Sequence, residues 1–369
     1  MNFDFSSEEK NLKSELRALL QDMGGPASAR RVMDDDALLD RPLWQELGRL
    51  GWLSAAIPES YGGQGLAYSS LCAIAEELGR SLAAVPVSSS LYLAAEALLL
   101  AGSDTQKARW LPALGSGETI GTLALVEGAG AIGAAHIKAS VANGKLTGSK
   151  FASDGMVADI AVVAATEGDE TGLYLVELNG QGVRRQSCNS LDQSRPLARL
   201  DFDAAPAEPL GSGWPLIERL LARTAVLTAF EQVGGADACL EMARGYALER
   251  WAFGRPIAQY QAVKHRIVDI YVANELARSN AYYGAWALDS APDLLPRAAA
   301  MARLSAVEAY ERAARDNIQT HAAIAATWEH DAHLHYRRSR HLALSLGTSL
   351  YWQDRLALEL GNDTNNESH

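Results

Sequence analysis

Cysteine is scarce in this chain of 369 residues: Cys72, Cys188 and Cys239 are the only three, and they lie far apart. An odd, scattered set builds neither a disulfide framework nor a paired-cysteine metal or redox site, so a reducing cytoplasm is the expected compartment. Long apolar runs are also missing. The most apolar stretch, 91–102, is short and carries Glu96, which makes it a core helix and not a membrane span. The first ten residues have neither a basic head nor an apolar core, so no signal peptide is expected there. Positive charge is in deficit, with 33 Lys and Arg against 45 Asp and Glu and a net charge of −12. That balance argues against nonspecific binding to nucleic acid or to an anionic membrane, and leaves room only for a local basic groove for phosphates. No P-loop, nucleophile elbow or H-E-x-x-H occurs.

What is present is an ordinary enzyme-like composition, 48% hydrophobic and 21% charged, on a chain long enough for two or three compact units. Residues 1–118 read as helices, beginning with cap-like chemistry at Ser6-Ser7-Glu8-Glu9. Across 119–212 the period shortens to β-branched or alternating runs at 119–126, 136–142, 145–152, 159–164, 172–178 and 197–202. Asn143-Gly144 between two of them is a strong hairpin turn. Residues 213–360 are helical again, and the polar 361–369 is expected to be a disordered tail. The fold class is α+β, with a β-domain interrupting a helical chain.

Three local features invite chemistry. Gly128-Ala129-Gly130-Ala131-Ile132-Gly133 is formally a G-x-G-x-x-G, but a strand-like run follows it where a dinucleotide site needs a helix, so it is read as a glycine-rich loop. Five of the eight histidines fall at His321, His330, His333, His335 and His341. Glu329/His333 and Asp331/His335 stand at i, i+4, a spacing that would serve a metal or, more simply, an ion-paired helix; no metal is expected. The third feature is Arg250-Trp251-Ala252-Phe253-Gly254-Arg255-Pro256 with Gln261, where one helical pattern (216–248) stops and another starts. An arginine at such a corner, near free backbone N–H groups, suits an anion. On local physics alone, an ordinary helix corner with a solvated arginine is the favoured reading.

Together these segments resemble the acyl-CoA dehydrogenase family from about residue 5 to 360. The resemblance is carried, in order, by Ile57-Pro58-Glu59-Ser60-Tyr61-Gly62-Gly63, by Gly102-Ser103-Asp104-Thr105-Gln106-Lys107 with Trp110-Leu111-Pro112, by Leu146-Thr147-Gly148-Ser149-Lys150-Phe151-Ala152-Ser153, by Arg250-x-x-Phe253-Gly254 with Gln261, and by 316–321 with 327–331. It implies an N-terminal helical domain, a central β-barrel-like domain and a C-terminal four-helix bundle, usually in a tetramer. It also implies FAD, an acyl-CoA substrate oxidised to the α,β-enoyl thioester, and an electron-transfer flavoprotein as electron acceptor. On this resemblance Val126, Phe151 and Ser153 lie on the flavin side of the sheet. Arg250, Phe253 and Gln261 serve a pyrophosphate held mainly by the neighbouring subunit, and Gln319, Ala322 and Ala323 lie on the adenosine side.

The sequence also departs from the family pattern. The usual base position is occupied by Leu346, which cannot take a proton. The alternative base position, near the start of the long helix, falls on Thr224; Glu231, seven residues on and about 10 Å along the axis, is the nearest acid on that face. The loop that usually reads T-E-P-G-A-G-S-D is Val126-Glu127-Gly128-Ala129-Gly130-Ala131-Ile132, and the late G-G-x-G is Ala322-Ala323-Ile324-Ala325. A half-kept site of this kind is similar to bacterial members acting on steroid-derived CoA thioesters as heterotetramers with fewer flavins than chains. Three readings remain open at this point: one subunit of such a heteromer, a self-sufficient homomeric enzyme with Glu231 as relocated base, or a non-catalytic scaffold.

Overall fold

The computed structural model describes residues 4–366. Local chemistry sets the ends of the early helices. Ser6 and Glu9 form a reciprocal capping box on α1 (Ser7–Asp22), Asp40 caps α3 (Arg41–Arg49) with Pro42 in its first turn, and Ser103 with Gln106 repeats the box on α6 (Asp104–Ser116). Between them lie α2 (Ala27–Asp34), α4 (Tyr68–Arg80) and a π-helical stretch, Ser88–Ala95, which runs into α5 (Glu96–Ala101). The strands are β1 (Gly121–Ala124), β2 (Ser140–Ala142), β3 (Lys145–Ser153), β4 (Ile160–Glu167), β5 (Glu170–Glu177), β6 (Val183–Cys188), β7 (Leu197–Pro206) and β8 (Glu208–Ser212). Then follow α7 (Trp214–Glu249), a two-residue hairpin β9 (Trp251–Ala252) and β10 (Arg255–Pro256), α8 (Gln261–Ser290), α9 (Leu295–His321), α10 (Ala332–Leu344) and α11 (Ser349–Asn366). Helical segment, central sheet and helical bundle therefore occur in the expected order.

The elements pack into two units that do not follow that order. One contains α1, α4 and the chain from Ala225 onward; the other contains Arg30–Ala67 and Ala84–Thr224. In the second unit the strands run β6-β7-β3-β2-β4-β5-β8, with β1 parallel to β4. No ladder joins β6 to β8 among the described residues, so the barrel-like domain is an open sheet at those edges. Asn143 and Gly144 turn β2 into β3 with φ of 50° and 68°, the left-handed pair that a two-residue hairpin requires. In the first unit α9 packs with α8, α10 and α11, around a core that includes Ala236, Cys239, Ile270, Tyr310, Ala313 and Leu342. There α4 and α7 cross with their backbones in contact: a Cβ on Gly79 would lie 1.9 Å from the Glu231 carbonyl oxygen, and one on Gly234 would lie 1.8 Å from that of Glu76.

Three expectations change. Strands β6 and β8 were not foreseen: β6 is a polar edge strand with no buried side chain, and β8 contains Pro209 and Gly211, so neither shows the apolar alternation of a half-buried strand. The expected tail is helical as far as Asn366, because one glycine at 361 costs a growing helix only about 1 kcal/mol; residues 367–369 lie outside the described residues. Finally, α10 begins at Ala332, so Glu329 lies outside the helix that carries His333, while Asp331 is its N-cap residue, with its carbonyl accepting from the His335 N–H at 3.4 Å. No helix among the described residues is long and apolar enough to cross a membrane.

Candidate functional site

The bundle collects one group of the expected residues at a single end. Helices α8 and α9 are joined by a short turn and run antiparallel, so the start of α8 and the end of α9 lie together. The last turns of α7 reach the same end, where Tyr246 stacks on His321 at 4.3 Å. Arg250 directly follows α7. Its carbonyl accepts from the Ile257 N–H at 2.8 Å, closing the small hairpin, while among the described residues its exposed guanidinium has no hydrogen-bond or ion-pair partner. At the hairpin tip Phe253 takes φ of 50° and is 98% exposed, followed by Gly254 at φ 81°. Gln261 is the first residue of α8 and exposed, and no side chain caps that helix. The Val263 and Lys264 N–H groups donate to the Tyr260 carbonyl at 3.1 and 2.9 Å, which leaves those of Gln261 and Ala262 as the open donors of the first turn, in the chain segment that closes on Arg250.

The end of α9 supplies the rest of this group. Gln319 is exposed. Ala322 follows the helix with φ 55° and ψ −139°, a conformation in which glycine is at ease and alanine is strained. Alanine here occupies a backbone shape suited to glycine, the residue that the family pattern has at this position. Ala322→Gly should therefore raise unfolding stability by about 1 kcal/mol, the strain relieved less the extra freedom of glycine in the unfolded chain. Chemical denaturation with a lower midpoint for the variant would count against that account. Ala323 is exposed on the same turn.

The other unit assembles the second group. Val126 and Phe151 form an antiparallel bridge, with the Phe151 N–H donating to the Val126 carbonyl at 2.8 Å. Ser153, two residues along β3, shares the face of Phe151, and its carbonyl accepts from Thr122 Oγ1 at 2.7 Å. Val126 is 37% exposed, and Phe151 and Ser153 are half-buried. Behind them is a pair the sequence did not single out. Lys150 is fully buried, and its Nζ donates to Glu127 Oε1 at 2.8 Å and to the Leu125 carbonyl at 3.1 Å. Burial pushes the Lys150 ammonium down, with Glu127 opposing. Burial also raises the Glu127 carboxyl, but the Lys150 hydrogen bond and the N–H groups of Ala139 and Lys138 outweigh it and hold it below the usual range. A lysine on a strand face that points inward was the available signal.

Neither base position carries a free carboxylate. Leu346 is buried, and its carbonyl accepts from Trp352 Nε1 at 3.0 Å. Thr224 directs its hydroxyl to the carbonyls of Tyr92 and Leu220 at 2.7 and 2.9 Å. Glu231 is buried in the bundle, 3.7 Å from Arg338 on α10. Arg303 beside them is fully buried and bonded to Gln232 and the Leu342 carbonyl; burial pushes its guanidinium down to about 10, with the charge of Glu231 opposing. The histidines are partly core residues: His335 Nδ1 meets the Tyr310 hydroxyl at 3.0 Å, and His321 Nδ1–H donates to the Asn317 carbonyl at 2.9 Å. Burial lowers the His321 imidazole despite that bond. Among the described residues no three His, Cys, Asp or Glu side chains converge as a metal site.

Residues 6–118 match the model of the acyl-CoA dehydrogenase N-terminal domain, and residues 211–357 match that of the C-terminal domain. Among curated proteins, the chain is 34% identical over 333 residues to "Acyl-CoA dehydrogenase IpdE2" of Mycobacterium tuberculosis (strain ATCC 25618 / H37Rv), covering 90% of this chain and 91% of that one. Among solved structures it is similar to a chain of the ChsE4-ChsE5 complex from Mycobacterium tuberculosis, with TM-score 0.90, 27% identity and coverage of 98% and 99%. A variant of the Tcur3481-Tcur3483 steroid ACAD gives TM-score 0.87 at 28% identity, covering 97% and 99%. The chain belongs to the acyl-CoA dehydrogenase family, whose members are FAD-dependent oxidoreductases.

The donor set at the bundle end fits the diphosphate of such a cofactor: an unpaired guanidinium, a primary amide and open helix N–H groups, all exposed. The sheet edge fits less fully, since Val126 offers only backbone where the family's threonine offers a hydroxyl.

Proposed function

We propose that this chain is one subunit of a flavin-dependent acyl-CoA dehydrogenase that shares its FAD with an unlike, family-related partner chain, and that the substrate is a steroid-derived acyl-CoA thioester. The observation that carries the reading is Phe253, both strained at φ 50° and 98% exposed. An aromatic side chain held in the left-handed region gains nothing in the isolated chain; it gains if a neighbouring subunit covers it. The unpartnered Arg250 and Gln261 beside it are donors for an anion bound at that same junction. The solved ChsE4-ChsE5 complex and the Tcur3481-Tcur3483 steroid ACAD support an unlike partner and this substrate class.

When bound, FAD supplies the acceptor for the hydride that leaves the β-carbon of the acyl group. Within this chain, Arg250, Gln261 and the α8 N-terminus would hold the diphosphate and Gln319 with the 322–323 turn would line the adenosine side, while the loop that contacts the flavin ring would come from the partner chain. The α-proton goes to a base on the partner, because Leu346 has none to offer and Glu231 is committed to buried arginines. An electron-transfer flavoprotein would then reoxidise the assembly, in the cytoplasm.

The test is flavin per chain from the visible spectrum. Purified alone, the chain is expected to carry little flavin, and coexpressed with an acyl-CoA dehydrogenase-like partner about half an equivalent per chain. A flavin-loaded homomer that turns over acyl-CoA would overturn the reading in favour of a self-sufficient enzyme. Absence of flavin under every pairing would leave a scaffold.

A further inference from the structure

Helix α8 changes character along its length. Its second half buries Ala277, Ala281, Gly284, Ala285 and Leu288, as a bundle helix requires. Its first half buries Ile270 and Asn274 but turns a row of apolar side chains outward: Val268 and Val272 are each 49% exposed, Tyr271 54% and Leu276 63%. Val268, Val272 and Leu276 follow one another at four-residue spacing with Tyr271 beside them, so the four form a stripe on one face. Two valines on a solvent face are an unfavourable choice for a helix, since valine is a poorer helix former than alanine and its apolar surface is left facing water. Charge brackets the stripe. Lys264 stands one turn before Val268, and Glu275 nearly one turn after Val272. Lys264 is exposed, and among the described residues its ammonium has no hydrogen-bond or ion-pair partner. Glu275 meets Arg278 Nε at 3.3 Å within its own helix, while Arg278 is committed to Glu76 and, at 2.8 Å, to Asp237.

We propose that the 264–276 face of α8 is the contact surface for a second copy of this chain, the two helices lying antiparallel about Ile270. A two-fold contact must be self-complementary: where residue i of one copy meets residue j of the other, j also meets i. This face meets that condition. In the antiparallel register Val268 faces Val272 of the second copy, and Tyr271 comes beside its own symmetry mate. Lys264, Tyr271 and Glu275 share one flank of the stripe, and the register brings Lys264 level, within one residue, with Glu275 of the second copy. Each of these pairs occurs twice, giving an apolar centre with opposite charges at both ends. A parallel pairing would set lysine against lysine and glutamate against glutamate. Asp269 lies on the opposite flank and takes no part. The contact runs about 18 Å along the axis, at 1.5 Å per residue. Gln261 lies beyond it, and Arg250 and Phe253 precede the helix. A second copy on α8 and an unlike chain at the bundle end therefore use different surfaces, and the pairing needs no flavin.

Sedimentation equilibrium of the purified full chain tests this. The wild type should dimerise with a Kd of about 10 μM or lower. Val272→Glu sets like charges at the centre of the contact and should raise that Kd about 100-fold. Lys264→Glu and Glu275→Lys should each raise it about tenfold, and the two changes together should return it to within about threefold of wild type, because the swap restores opposite charges across the two-fold axis. All three side chains are exposed or half-exposed, so the urea midpoints of the variants should match that of wild type. A monomeric wild type would overturn the proposal, and the stripe would then belong to an unlike chain if Val272→Glu blocked assembly with one. A dimer indifferent to Val272→Glu would also overturn it, since the contact would lie elsewhere. A dimer broken by Val272→Glu but not recovered by the double charge swap would overturn the antiparallel register. None of these outcomes turns on flavin content, so the shared-site reading stands or falls separately.

Discussion

Replacing Glu231 with glutamine is expected to destabilise the folded chain by about 3 kcal/mol, before any question of catalysis arises. The carboxylate lies 3.7 Å from a fully buried Arg338, and its charge also bears on the fully buried Arg303, which is already pushed down to about 10 by burial. Glutamine keeps the volume and some hydrogen bonding but removes the charge, leaving two buried cations with less to balance them. The backbone cannot move to compensate, because α4 and α7 meet at Gly79 and Glu231 with no room for a methyl group. Urea unfolding of the variant and wild type at one pH checks this. Wild-type unfolding with a thousand-fold loss of turnover in a flavin-loaded enzyme would instead make Glu231 the base, and would revive the self-sufficient reading. Polar residues committed to holding a bundle together are poorly placed to accept a proton, because each protonation would cost the network its charge balance.

The placement of Glu231 was out of reach of sequence reasoning, and the reason is general to the site. Arg338 is more than one hundred residues away, so no local pattern could show that an acid on one helix answers a cation on another. Period and punctuation could be read: Ser6 and Glu9 as a cap, Asn143-Gly144 as a hairpin, and the break after α7 at Gly254 and Pro256, all of which depend on residues near in sequence. The strands that escaped, β6 and β8, lack an apolar alternation because of their exposure or because of Pro209 and Gly211. The packing division at Ala29, Tyr68 and Ala225 follows tertiary contacts that composition does not record. At the site, the motif around Arg250 was legible by resemblance, but its physical meaning was not. That Phe253 is strained and uncovered, and that Ala322 has a backbone suited to glycine, are statements about dihedral angles and exposure, which a one-letter string does not carry.

Arg250 is where the largest functional effect is expected. Arg250→Met in the assembled enzyme should raise the flavin Kd about 100-fold, the loss of two charge-assisted hydrogen bonds worth about 1.5 kcal/mol each. Stability of the chain itself should be untouched, because the guanidinium is exposed and has no hydrogen-bond or ion-pair partner among the described residues. That combination separates a ligand-holding residue from a structural one: the denaturation midpoint stays put while the flavin dissociates. Arg250→Lys should recover only part of the affinity, about tenfold, since an ammonium is a point charge and cannot fork onto two phosphate oxygens. The same variants also test where the flavin sits. If flavin is shared across an interface, Arg250→Met on this chain depletes flavin from the assembly although the partner is wild type, and titration of apo-assembly with FAD, followed by flavin fluorescence, reads it directly. If the variant assembly binds FAD as tightly as wild type, Arg250 is only a solvated residue at a helix corner, and the exposed Phe253 beside it marks a protein contact without a cofactor.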